Sequence, residues 1–188
     1  MRVHALLVTI MILAAGIAQS QAADLSAVFS NAGLRVNGAV TGSIVENRAK
    51  LSVPAFIQAL GPPSGVRVDG RTQRITWGDA GIQLEAIAQE SVAFAVLFQF
   101  GTVDSTNQGL IPRQPYRGTL DCFGITLRAG QQIADEATFL SAAGFNKDSG
   151  SASGEEWSLR LENWAVFLRF STSGAIDSAV IRVLPDIY

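Results

Sequence analysis

At 188 residues the chain suits one domain or two small fused ones, and it is long enough to bury a sizeable core. Hydrophobic residues make up 48% and charged residues 16%, which excludes a disordered tail. A net charge of −2 without a basic cluster excludes a surface built for a phosphate backbone.

Taken in order, the chain opens with Arg2 and His4, then an uncharged apolar run over residues 5–17, then the small residues Ala18, Ser20, Ala22 and Ala23. This is the pattern of a secretory signal peptide over residues 1–22, with cleavage expected after Ala22 or, alternatively, after Ala23. The apolar run of ~13 residues falls short of the ~20 that a spanning helix needs. No Cys stands near the cleavage site to take a lipid. The mature chain is therefore expected to be exported, periplasmic or secreted, with a leader of bacterial style and no integral membrane segment.

Export sharpens what the chain lacks. Its single histidine, His4, lies in the leader, so the mature protein carries no Ser-His-Asp or Cys-His machinery and no His-ligated metal. Lysines are confined to Lys50 and Lys147. The lone Cys122 has no internal partner for a disulfide and is expected to be a small buried apolar group. There is no GxGxxG, P-loop or EF-hand spacing, so no catalytic, cofactor-binding or metal-binding residues and no cofactor are assigned.

The mature chain starts with an apolar stretch over 25–29, either a helical turn or an edge strand. Leu34-Arg35-Val36-Asn37-Gly38 alternates into Asn-Gly, a strong hairpin-turn dipeptide, with a return strand over 40–45. A short helix is expected over 52–60, capped by Ser52, with Pro54 in its first turn and Gly61 at its end. Alternation then gives strands over 73–77 and 82–86, and residues 92–100 read as a central strand apolar on both faces. Residues 101–117 are rich in Gly, Pro, Ser, Thr and Asn and read as a linker, with Ile111, Pro112 and Tyr116 packing along the sheet. A second hairpin follows at Leu120-Asp121-Cys122-Phe123-Gly124, returning over 125–127. A second helix is expected over 135–143, capped by Asp135. Residues 147–154 read as a mobile loop, followed by strands over 157–162, 164–170 and 179–184.

The two halves echo one another. FIQALG (Phe56 to Gly61) matches FLSAAG (Phe139 to Gly144), the hairpins share Leu-x-small-x-Gly, and Ala95-Val96-Leu97 parallels Ala179-Val180-Ile181 at nearly equal spacing. The fold expected is α+β: two tandem β-α-β-β-β repeats, residues 23–100 and 118–188, forming an antiparallel sheet with short helices packed on one face. Superposing the halves should align Phe56 with Phe139 and Trp77 with Trp157. Both Phe side chains should be buried between helix and sheet.

The order hairpin, short helix ending in Leu60-Gly61-Pro62 and strand with Trp77 is similar to a module of small bacterial envelope lipoproteins of the outer-membrane assembly type. Two such units in tandem resemble the layout of secreted β-lactamase inhibitor proteins, which implies a sheet backed by helices with a concave binding face. Trp77-Gly78-Asp79-Ala80-Gly81-Ile82 and Pro115-Tyr116-Arg117-Gly118 also resemble an uncharacterised family of exported bacterial domains. Gly144-Phe145-Asn146 replaces Gly-Pro in the second copy, and the disulfides of the inhibitor proteins are absent.

Function then rests on the strand positions opposite the inferred core face. Arg74, Thr76, Gln83, Glu85, Ser158, Arg160 and Glu162 are the candidate partner-binding residues of an exported, non-enzymatic protein that engages a protein partner, as an inhibitor or immunity protein would. An envelope assembly or scaffolding role is the alternative, and a carboxylate-only hydrolase a third. The basic run Arg67, Arg71, Arg74 reads as a solvated strand face. Glu155 and Glu156, as neighbours on a strand, point to opposite faces and cannot easily share one substrate.

Overall fold

The computed structural model describes residues 25–46, 48–102, 112–151 and 154–184. The expected signal peptide, most of the expected linker and its Ile111 lie outside the described residues.

Asn37 and Gly38 both take positive φ, 49° and 79°, as a tight type I′ turn requires. They join β2 (Gly33–Val36) to β3 (Ala39–Val45), with Val36 opposite Ala39. β1 (Ser26–Ser30) precedes this hairpin and β4 (Arg48–Ser52) follows it, each antiparallel to its neighbour. Ser52 caps α1 (Val53–Leu60), its Oγ accepting from Ala55 N–H at 3.3 Å. A meander follows, made of β5 (Gly65–Asp69), β6 (Thr72–Trp77), β7 (Ile82–Ile87) and β8 (Val92–Gln99). The second half has fewer strands before its helix: hairpin β9 (Thr119–Cys122) and β10 (Ile125–Leu127), helix α2 (Ile133–Ala142), then the meander β11 (Asn146–Ser151), β12 (Gly154–Arg160), β13 (Trp164–Phe170), β14 (Ile176–Val183). Among the described residues it has no counterpart of β1 or β4, so the halves are not the tandem β-α-β-β-β repeats expected.

All these strands form one 14-stranded sheet that branches at β8. One edge of β8 carries β7. The other carries β14 along Ala95–Gln99 and β4 at Val92 and Ala93. The apolar run of 92–100 is thus central, as its two-sided hydrophobicity implies. Each meander ends on the strand that pairs with the other, Val96 opposite Ile181 and Leu97 opposite Val180. β1 is no edge strand: it lies between β2 and β9 and runs parallel to β9, so the sheet is mixed.

The expected α+β layering is therefore wrong, and the reason lies in the helices. α1 buries only Val53 and Phe56, and among the described side chains of α2 only Leu140 is fully buried. Two such short helices cannot cover so broad a sheet. The sheet instead curls and packs on itself. Phe29 of β1 meets Trp164 of β13 edge to face at 5.5 Å, and a methyl group on Gly42 of β3 would stand 3.2 Å from the Trp164 ring. The molecule is mostly β, and one hydrophobic cluster takes residues from both halves.

The equivalence of the two Phe residues fails as well. Phe56 is 0% exposed and packs on Trp77, whereas Phe139 is 62% exposed. α2 begins earlier than its sequence suggests, with Gln132 rather than Asp135 at the N-cap, and turns Leu140 inward instead. One residue further along a helix is about 100° around it, so the matching motifs present different faces. Trp77 and Trp157 are both buried.

The described end of the linker is anchored rather than free. Tyr116 is fully buried, stacks edge to face on Phe98 and Phe100, and donates from its hydroxyl to the Thr119 carbonyl at 3.0 Å. Its N–H bonds the Gln99 carbonyl beside Gly81, which sits at φ +69° and has no room for a side chain: a Cβ there would lie 2.2 Å from the Tyr116 nitrogen. The expected loop at 147–154 is mostly the β11–β12 hairpin.

Candidate functional site

Cross-strand register places six of the seven candidate residues on the face turned away from the core. One row crosses seven strands as Arg67, Arg74, Glu85, Ala95, Arg182, Ala165 and Arg160. The next row is Gly65, Thr76, Gln83, Leu97, Val180, Phe167 and Ser158. Side chains paired across a sheet point the same way. Arg74, Glu85 and Arg160 therefore share one row, Thr76, Gln83 and Ser158 share its neighbour, and Glu162 stands apart in the turn between β12 and β13. Ala95 and Ala165 are buried yet outside the hydrophobic cluster, forming a low floor on either side of Arg182.

The two ends of this face differ. On the first meander, Thr76 and Gln83 are 8% and 4% exposed and hydrogen-bond each other at 3.0 Å, so neither is available to a partner. Arg74 Nε donates to Glu85 Oε1 at 3.1 Å, and the two charges largely satisfy one another. On the second meander, Glu156, Phe167, Arg169, Ser178, Val180 and Arg182 surround a shallow depression of about 290 Å³. The Arg182 guanidinium lies over the Phe167 ring, 5.9 Å from its centre. Among the described residues Arg160, Arg169 and Arg182 form no ion pair, which leaves this end locally positive.

Sequence reasoning missed Phe167, Arg169, Ser178, Val180 and Arg182, because it assigned strands over 164–170 and 179–184 without distinguishing their faces, and Ser178 fell outside them. The signal was present: Phe167 and Arg169 alternate with Val166, Leu168 and Phe170, and Ser178, Val180 and Arg182 alternate with Ala179 and Ile181.

The remaining reactive groups sit elsewhere. Cys122 is fully buried, and burial beside Asp121 pushes its thiol up to about 12, so it stays protonated and unreactive. Burial likewise raises the Tyr116 phenol well above its ordinary value. Glu155 and Glu156 do point to opposite faces, Glu155 opposite Phe170 and Glu156 opposite Arg169. Glu155 is bound by Lys147 at 2.9 Å and by Trp157 Nε1 at 3.3 Å, and the Lys147 hydrogen bond draws its carboxyl below the usual range. Among the described residues no three His, Cys, Asp or Glu side chains gather as metal ligands, and no helix is long and apolar enough to cross a membrane.

No protein-family model matches this chain, and no curated protein does. Among solved structures, an extracellular protein containing an SCP domain from Bacillus anthracis is similar over 70% of this chain, with a TM-score of 0.43 and 8% identity. This chain spans 42% of that protein's length. A likeness at that level carries no functional argument.

Proposed function

We propose that the mature chain is an exported, non-enzymatic binding protein that engages a protein partner through the outward face of its second meander, as an inhibitor or immunity protein would. One observation carries this reading: unpaired arginines surround an aromatic ring on a sheet face that α1, packed over β2 and β3, does not cover. Arginine and aromatic side chains are the usual anchors of protein interfaces, because their flat groups give large contact at modest entropic cost. The arginines favour an acidic loop on the partner. Phe167 and Val180 offer it apolar contact once water is displaced.

The test is affinity for a partner recovered by crosslinking in the periplasm or medium. Arg160→Glu and Arg182→Glu should each weaken binding by about tenfold or more, the effect of losing a strong interface contact, while thermal melts stay unchanged. Arg74→Glu should weaken binding less, since it breaks an internal ion pair and lies on the first meander, away from the depression. Unchanged affinity in the first two variants removes this face from consideration.

A further inference from the structure

Among the described residues the sheet has three free edges, β5, β10 and β11, and they are unequally protected. β10 is only three residues long. β11 is polar, is interrupted by a bulge after Asp148, and is tied by the Lys147–Glu155 ion pair. β5 has the sequence Gly-Val-Arg-Val-Asp, pairs in unbroken register with β6, and is exposed at every residue. Val66 and Val68 are 57% and 60% exposed. Such an edge is a template for another strand.

The hairpin geometry fixes which groups β5 offers. Gly70, at φ +59°, and Arg71 form a two-residue turn closed by Asp69 opposite Thr72. In such a hairpin the closing pair exchanges both hydrogen bonds and alternate pairs do the same. Asp69, Arg67 and Gly65 therefore bond inward to β6, and Val66 and Val68 turn their N–H and C=O groups to the open edge. Arg67 and Asp69 have no ion-pair partner in the chain among the described residues.

We propose that a second copy of this chain pairs antiparallel on β5. The register that satisfies both backbone and charge places Val68 opposite Val68 of the second copy. Val66 then faces Gly70, and Arg67 faces Asp69 in both directions. Shifting by two residues would set Arg67 against Arg67, a like-charge pair directly opposed. The sequence is thus complementary to itself in one register. The pairing also covers the two most exposed valines among the described residues and joins the two sheets edge to edge.

The experiment is analytical ultracentrifugation of the mature chain across a concentration series. The expected result is a monomer–dimer equilibrium that Arg67→Asp abolishes and that the charge swap Arg67→Asp/Asp69→Arg restores. Under oxidising conditions Val68→Cys should form a covalent dimer and Val66→Cys should not, because only Val68 faces itself. The cysteine pair keeps the test decisive if a charge variant misfolds. A monomer at every concentration overturns the proposal, as does a dimer indifferent to Arg67→Asp. Equal crosslinking from Val66→Cys and Val68→Cys, or capture of an extended peptide by a chain that never self-associates, overturns it too.

Discussion

Truncating one helix phenylalanine should be costly and truncating its sequence counterpart nearly free. Phe56 is wholly buried, its ring 6.1 Å from that of Trp77 at an angle of 34°, and Trp77 Nε1 in turn donates to the Gly61 carbonyl at the helix end at 2.8 Å. Phe56→Ala therefore opens a cavity beneath α1 and loosens the contact that docks it. The expected cost is about 3–5 kcal/mol, the range for Phe truncations in a packed core. For a domain of this size that corresponds to a drop of about 6–20 °C in melting temperature. Phe139 leaves most of its ring in water, so Phe139→Ala should fall within about 0.5 kcal/mol of zero, helped by the better helix propensity of Ala. Urea denaturation of both variants, fitted with a common m-value, reads the difference directly. Equal costs, or a larger cost at Phe139, would refute the assignment of inward faces to α1 and α2.

Gly42→Ala should destabilise by about 1–3 kcal/mol, the usual range for overpacking, because its methyl group would press on Leu51, Leu34 and the Trp164 ring. A neutral result in a thermal melt would mean that β3 does not pack against β13. Cys122 should resist thiol reagents at pH 8 until denaturant is added, and rapid modification of the native chain would contradict its burial and raised pKa. Glu155 has a folded pKa below its unfolded value, so its stabilisation is full above the ordinary carboxylate range and is lost as pH falls through the folded value. The melting temperatures of wild type and Glu155→Gln should differ slightly at pH 7 and converge in acid, whereas a gap persisting at pH 2 would exclude this ionic origin. Partner binding should be nearly flat between about pH 6 and 8, where Asp, Glu, Lys and Arg keep their charges. A strong pH dependence in an isothermal titration, traced to this chain, would reveal a perturbed carboxylate in the contact.

Local patterns in the sequence carried much of the fold. Asn37-Gly38 announced its turn, Ser52 its cap, and the two-sided hydrophobicity of 92–100 its central place, because each of these depends on interactions a few residues apart. The layering was not legible. Nothing local in Ser26–Ser30 says that it pairs parallel to Thr119–Cys122, a contact set by curling of the whole sheet. β5 escaped notice although Val66-Arg67-Val68-Asp69 alternates, because so short a run between Gly65 and Gly70 is a weak strand signal. FLSAAG misled because a shared Phe does not fix helix rotation when Leu140 stands next to Phe139 and can take the inward place. At the candidate site, alternation correctly put Arg74, Glu85, Ser158 and Arg160 on the outward face. It could not foresee that Thr76 and Gln83, on that same face, would be buried.

The outward face of the second meander as the contact surface is tested most directly by site-specific photocrosslinking in the producing cell. A photoreactive phenylalanine analogue replaces Phe167 in one strain and Phe139, exposed on α2, in another, after both variants are shown to melt like wild type. The expected result is a discrete adduct with one partner from position 167 and none from position 139, and loss of that adduct when Arg182→Glu is added. An adduct from position 139 alone, or one from position 167 that survives Arg182→Glu and Arg160→Glu together, would contradict it.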